Sequence, residues 1–153
     1  MTHTLKMLTV EDRPAITKHY LRLSPEDRHM RFCTTLSDWG VENYIDTILN
    51  FETDTAYGIF HEGQLAAMAV ACHINVSGRK SVEAAFTVDE AHRTQGLGKM
   101  LMAQIIADCR ADGTELIFVS CLRTNKKMQA LARSFSMDLD INEDEAYAEL
   151  KLR

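Results

Sequence analysis

Hydrophobic positions repeat along this chain with one period before about residue 55 and another after it. In the first third, apolar residues fall three and four apart, as on a helix; directly after it, through about residue 88, apolar runs alternate with turn signals, as strands do. Residues 5–9 read as a short opening strand. Thr9 then caps a helix, with Asp12 placed for a capping box, Pro14 in the permissive first turn, and Ile16, Tyr20, Leu21 and Leu23 as the apolar face. Ser24-Pro25-Glu26-Asp27 is a second helix start. A third helix covers residues 37–50, where Trp39, Tyr44, Ile45, Ile48 and Leu49 recur at helical spacing.

From residue 55 the reading is a meander. Residues 55–60 and 65–76 form a hairpin about His61-Glu62-Gly63-Gln64, and a turn at 77–80 leads into a third antiparallel strand, 81–88. Gly96 and Gly98 open an amphipathic helix that runs to about Asp112, with Met100, Leu101 and Ile105 as its core stripe and Gly113 as its stop. Residues 116–122 are a buried strand, 125–134 a helix, and 137–141 with 147–152 a closing hairpin. The order is helices, an antiparallel meander, then β-α-β-α-β-β, with no internal repeat and no linker, which places the chain in the α+β class.

Composition narrows the picture. A length of 153 residues with 46% hydrophobic content fits one domain, 1–153, around an ample core. A net charge of −5 argues against a nucleic-acid binder, which carries a basic face, and sits more easily with cationic partners. Cys33, Cys72, Cys109 and Cys121 form no C-x-x-C pair and three of them lie in apolar runs, so they are expected reduced and buried rather than in disulfides or on a metal. The histidines show no ligand spacing, and no metal is expected. No run of 18 apolar residues and no signal-peptide core is present, so the expectation is a cytoplasmic protein without a membrane partner. The acids Asp138, Asp140, Glu143, Asp144, Glu145 and Glu149 read as a solvated face.

The chemistry concentrates between residues 88 and 102. A strand delivers the chain into a loop, and two glycines start a helix, whose unpaired first-turn N–H groups converge with the positive end of the dipole behind them. Glycine lets a phosphate approach the backbone, and Arg93 and Lys99 add charge. This is an anion cradle suited to a diphosphate. A Walker A loop is excluded, because Arg93 stands where it needs glycine and Met100 where it needs Ser or Thr. A dinucleotide fingerprint fails on Leu101, where it wants a third small residue.

Arg93-Thr94-Gln95-Gly96-Leu97-Gly98 resembles the Arg/Gln-x-x-Gly-x-Gly/Ala signature of the GNAT acetyltransferase superfamily. The stretch from Asn125 to Met137 is similar to that superfamily's second motif, and Leu21 to Phe32 resembles a segment of its bacterial protein-lysine acetyltransferases. The resemblance spans almost the whole chain. It implies a mixed, largely antiparallel sheet of six to seven strands with helices on both faces, acetyl-CoA as cosubstrate, and a primary amine as acceptor, either a protein lysine or a small molecule. It also implies roles: main-chain N–H groups from Gln95 through Lys99 on the pyrophosphate, the exposed edge of Phe86, Thr87 and Val88 on the pantetheine arm, and Asn125 beside that arm. Asn125 is equally placed to cap its helix.

An attacking amine must be neutral, yet a lysine-like amine is mostly protonated at pH 7, so a base worth about 10²–10⁴-fold is required. Glu83 is the candidate. It lies on a nearly uncharged strand, shares a face with Ala85 and Thr87, and matches a glutamate used as base in the resembling enzymes. The chain departs from the pattern at Ala132, where many relatives carry a tyrosine that protonates the departing thiolate, and at Ser136-Met137 in place of Gly-Phe. Tyr147 or solvent is left as the acid. A catalytically silent acyl-CoA-binding regulatory module is the alternative function, and monomer and homodimer are both compatible with the exposed sheet ends.

Overall fold

The computed structural model describes residues 2–153. One seven-stranded sheet organises the molecule: β1 (Thr4–Met7), β2 (Asp54–His61), β3 (Gln64–Val76), β4 (Arg79–Val88), β5 (Leu116–Leu122), β6 (Asp138–Ile141) and β7 (Glu145–Lys151). Their order across the sheet is β1-β2-β3-β4-β5-β7-β6, and every neighbouring pair is antiparallel except β4 with β5. Helices α1 (Arg13–Leu21), α2 (Pro25–Phe32) and α3 (Asp38–Asn43) precede the meander, α4 (Leu97–Asp112) connects β4 to β5, and α5 (Lys126–Ser134) follows β5.

Alternation along the strands separates two cores. Val82, Ala84, Phe86 and Val88 of β4 join Ala67, Ala69 and Ala71 of β3 beneath α4 and α5, where Leu101, Met102 and Ile105 are fully enclosed. Met68 and Val70 face the other way, onto Ile16, Tyr20, Val41 and Ile45. The helices therefore cover both faces, as expected. Gly58 of β2 packs directly on the second core: a Cβ there would stand 2.7 Å from side-chain carbons of both Leu8 and Leu65.

Local signals set several boundaries. Thr9 and Asp12 form the capping box, with Thr9 Oγ1 accepting from the Glu11 N–H at 3.3 Å and the Thr9 N–H donating to Asp12 Oδ2 at 2.8 Å. The segment they cap is a single 3-10 turn, Val10–Asp12, that leads into α1. Ser24 Oγ accepts from the Asp27 N–H at 3.1 Å and starts α2.

The third helix differs from its expectation. Regular α-structure stops at Asn43 and the chain widens into a π turn over Tyr44–Ile48, closed by the Leu49 N–H on the Tyr44 carbonyl at 2.9 Å. The buried row is Val41, Ile45 and Leu49, four apart, so Trp39, two positions from Val41, falls on the opposite side and is 72% exposed. Ile48 is exposed as well. Met100 is likewise corrected: it lies one position off the enclosed Leu101–Ile105 stripe and faces solvent. All four cysteines are free, Cys109 and Cys121 buried, Cys72 partly buried and Cys33 exposed. Among the described residues no helix is long and apolar enough to cross a membrane.

Replacing Gly58 by alanine forces Leu8 and Leu65 to shift, and overpacking of this kind costs about 1–3 kcal/mol. Urea unfolding of Gly58→Ala should show the loss; an unchanged midpoint would mean the two leucines move freely.

Candidate active site

Only three register pairs join β4 to β5: Ser81 with Leu116, Val82 with Ile117 and Glu83 with Phe118. Past Glu83 the two strands part, although β4 continues to Val88 and β5 to Leu122. The other edge of β4 stays paired with β3 as far as Val88. From Ala84 onward, then, the side of β4 that faces β5 offers main-chain groups with no strand partner, a row that an extended ligand can satisfy.

A cleft of about 660 Å³ opens at this gap, within the usual range for ligand sites. Phe86, Thr87 and Val88 form its floor, the start of α4 one end, and α5 along its length from Lys126 to Ser134 a side. The facing wall is α2, through Glu26, Asp27, Met30 and Arg31, with Leu23 two residues before it. That wall was not legible from sequence spacing, which gave α2 a start signal but no position.

The loop before α4 has the properties of an anion cradle. Among the described residues, no protein acceptor takes the N–H groups of residues 94–99, and Gly96 at the helix N-cap offers no side chain to do so. Thr94 and Gly96 both take positive φ, +65° and +77°, which turns successive N–H groups toward one side. Gly98 is informative for the opposite reason. Its φ is ordinary, and a Cβ would meet only Leu131, at 3.6 Å, so the chain's own packing does not demand glycine there. A missing side chain at a cleft wall is what close approach of a phosphate requires.

Side chains around the cradle sort themselves. Leu97 is buried, so only its backbone serves the cleft, and Gln95 turns to solvent outside the cleft wall. Lys99, and also Lys126 and Lys127 of α5, give the cleft a cationic rim on an acidic protein. The two α5 lysines escaped the sequence reading, although they adjoin Asn125. Arg93, expected to add charge to the cradle, does line the cleft but is ion-paired with Asp27, which ties the loop to α2. Asn125 caps α5, its Oδ1 accepting from the Met128 N–H at 3.1 Å, and it lines the cleft too.

Glu83 lies at the last paired position before the strands part, half-buried and outside the cleft wall proper. Among the described residues its carboxylate has no hydrogen-bond or ion-pair partner. Opposite it on β3 is Cys72, whose thiol burial pushes up to about 11, with the charges of Asp54 and Glu83 adding to the effect. Cys72 therefore stays a thiol at neutral pH and makes a poor nucleophile. Tyr147 of β7 donates its hydroxyl to Glu149 at 3.1 Å, and burial followed by that carboxylate raises its pKa, so it remains protonated. Ala132 is buried against the core and supplies no acid.

A GNAT acetyltransferase family model matches residues 17–137. The chain belongs to that family. Solved structures agree on the fold: the GNAT domain of Streptomyces lividans PAT superposes with a TM-score of 0.83 at 22% identity, covering 99% of this chain and 92% of that one. A GNAT superfamily phosphinothricin acetyltransferase of Sinorhizobium meliloti, in complex with acetyl-CoA, follows at 0.76 and 20%, covering 99% and 89%. A putative acetyltransferase of Salmonella typhimurium, with its cofactor acetyl-CoA, follows at 0.75 and 17%, covering 100% and 95%. GNAT acetyltransferases are acetyl-CoA-dependent N-acetyltransferases, and acetyl-CoA is the cosubstrate.

Behind the cleft floor of this GNAT chain lies a buried polar network. His19 of α1 is 0% exposed, and its Nε2 lies 2.7 Å from Thr87 Oγ1. Its Nδ1 lies 2.7 Å from Asp89 Oδ1, at ion-pair distance, and 3.1 Å from the Leu65 carbonyl, so a proton on Nδ1 has an acceptor and leaves Nε2 to accept the Thr87 hydroxyl. Arg22 donates to Asp89 Oδ2 and to the same carbonyl, each at 2.8 Å. Thr87 is thus held by its side chain to α1. Elsewhere, His3, His61 and His92 cluster in tilted and edge-on contact with ring centroids 5.0, 5.2 and 6.0 Å apart, an assembly that their sequence spacing conceals. Among the described residues no group of three or more His, Cys, Asp or Glu has the geometry to hold a metal.

Two outcomes follow from this geometry. Burial pushes the Asp89 carboxyl up, but His19 and Arg22 outweigh it and hold its pKa below the ordinary value. Its stabilisation is therefore complete above the ordinary carboxylate pKa and disappears as pH falls through the lowered one. Asp89→Asn should lose on the order of 1–3 kcal/mol at pH 7, with the gap to the parent narrowing below about pH 4 in urea titrations. Gly96→Ala places a Cβ at φ +77° and should cost about 1–2 kcal/mol while weakening CoA binding in calorimetry. Retained affinity would mean the cradle tolerates a different turn.

Proposed function

We propose that this chain, acting as one domain over residues 1–153, moves the acetyl group of acetyl-CoA to a primary amine by direct attack, with Glu83 as the base. The observation that supports this most is the parting of β4 from β5 beside unspent N–H groups at the start of α4. In this reading the N–H groups of residues 94–99 hold the pyrophosphate, with Lys99, and Arg93 once released from Asp27, adding charge. The free edge of Phe86, Thr87 and Val88 pairs with the pantetheine arm, and the side-chain amide of Asn125 approaches it while its oxygen keeps the cap.

Glu83 takes a proton from the acceptor ammonium, whose nitrogen lone pair then attacks the thioester carbonyl. The C–N bond forms and the C–S bond breaks. The acylated nitrogen gives up its remaining extra proton to solvent, and the departing thiolate takes one from solvent, because Ala132 supplies no acid and Tyr147 is engaged with Glu149. The free carboxylate of Glu83 favours the base role, and the high thiol pKa of Cys72 speaks against an acyl-cysteine route. Likeness of residues 21–32 to the protein-lysine branch lends support to a lysine acceptor, and the phosphinothricin acetyltransferase neighbour lends it to a small one. The buried Ala132 favours a second reading, a silent acyl-CoA-binding regulatory module.

Acetyl-CoA turnover over a panel of amines and lysine peptides separates the two. With an active acceptor, Glu83→Gln should lower kcat by about 10²–10⁴-fold with CoA affinity nearly unchanged. Equal kcat would remove Glu83 as base, and CoA binding without turnover of any amine would favour the silent module.

A further inference from the structure

The α2 wall of the cleft carries a cation that the protein itself leaves unpaired. Arg31 lines the cleft with its guanidinium centred 4.6 Å from the Phe32 ring, 5.5 Å from Tyr44 and 6.0 Å from Tyr20. These three rings also pack edge-on against one another, 5.1 to 5.8 Å apart, so the box that holds the guanidinium is rigid. Within it Arg31 makes one hydrogen bond, from Nη2 to the Tyr44 hydroxyl at 3.0 Å. Its Nε is wholly enclosed and has no acceptor. No carboxylate lies within ion-pair distance among the described residues.

Neighbouring arginines show how unusual this is. Arg22 is paired with Asp89, Arg28 with Asp38, and Arg93 with Asp27. Arg13 shares an unpartnered Nε but does not line the cleft. The acids on the same wall do not serve Arg31: Asp27 is taken by Arg93, and Glu26 is exposed. A guanidinium held by aromatic rings, largely withdrawn from water and without a counter-ion, is a strong receptor for a planar anion, since a carboxylate meets its donors two at a time.

Arg31 also borders the space where the acceptor belongs. It shares the cleft with Phe86, Thr87 and Val88, and Cys72, the register partner of Glu83, packs against the same core cluster as Phe32 and Tyr44 of the box. We infer that Arg31 anchors a carboxylate on the acceptor, and that the amine substrate is a small amino carboxylate. The inference rests on the N-acetyltransferase reading above and deepens it. A molecule that carries both groups can present its amine to Glu83 and its carboxylate to Arg31, whereas a lysine side chain within a polypeptide brings no carboxylate of its own.

The test compares each of the twenty common amino acids and 4-aminobutyrate with its carboxamide, beside an amidated lysine peptide, in acetyl-CoA turnover and in thermal shift with CoA present. At least one free acid should exceed its amide by about ten- to hundredfold in kcat/KM, the value of a charge-assisted hydrogen bond, and should raise Tm where the amide does not. In Arg31→Met the acid-to-amide ratio should fall toward one through KM rather than kcat, and Arg31→Lys should recover part of it. Amides or the lysine peptide matching the acids would overturn the inference while leaving an N-acetyltransferase. Should Arg31→Met fail to fold, the acid–amide comparison in the parent protein still decides. If nothing is turned over, the N-acetyltransferase reading fails, and the thermal shift alone judges Arg31: no stabilisation by any free acid overturns it.

Discussion

Everything at the functional end of this molecule depends on two parallel strands that stop pairing. β4 and β5 are joined only from Ser81 to Glu83 on one side and Leu116 to Phe118 on the other. Had pairing continued, the main-chain groups of Phe86, Thr87 and Val88 would be spent within the sheet and the cleft would be filled. The sheet tolerates the loss because β4 keeps its full ladder with β3, and β5 keeps its own with β7. The open edge is thus a deliberate vacancy in a well-supported sheet, and helix starts at Leu97 and Lys126 bring N–H groups and lysines to the same end.

Two fixings keep the parted strand and its facing wall in place. The first is the His19–Thr87–Asp89–Arg22 network, in which buried His19, Thr87 and Asp89, with the more exposed Arg22, pin the cleft strand to α1. The second is the Arg93–Asp27 pair, which links the phosphate-side loop to α2. In the proposed reading a phosphate in the cradle would compete with Asp27 for Arg93, the one guanidinium that joins this loop to α2. Because α2 also carries Arg31, the two ends of the cleft share a wall.

Charge is distributed unevenly enough to matter. The chain as a whole is acidic, at −5, yet the cleft collects Arg31, Lys99, Lys126 and Lys127. The exposed acids of the closing hairpin, Asp138, Asp140, Glu143, Asp144 and Glu145, lie outside the cleft wall. The net value therefore describes solubility and says little about the site, where the local field favours an anionic cosubstrate.

Sequence alone determined whatever depends on neighbours along the chain. Periodicity placed the strands and α4, Ser24 and Asn125 announced helix starts, and the two glycines with Arg93 and Lys99 announced the cradle, because caps, turns and helix dipoles are local physics. Where a local pattern was ambiguous it misled: Trp39 and Ile48 look like core residues by spacing, and only packing of the Val41–Ile45–Leu49 row onto the sheet decided which face went inside. Tertiary structure alone decided what depends on parts far apart in sequence. The register at which β4 leaves β5, the meeting of His19 with Thr87 and Asp89, the capture of Arg93 by Asp27 and the aromatic box around Arg31 each join residues from separate elements or faces. No spacing rule encodes such meetings, since they follow from how the two cores close on opposite sides of one sheet.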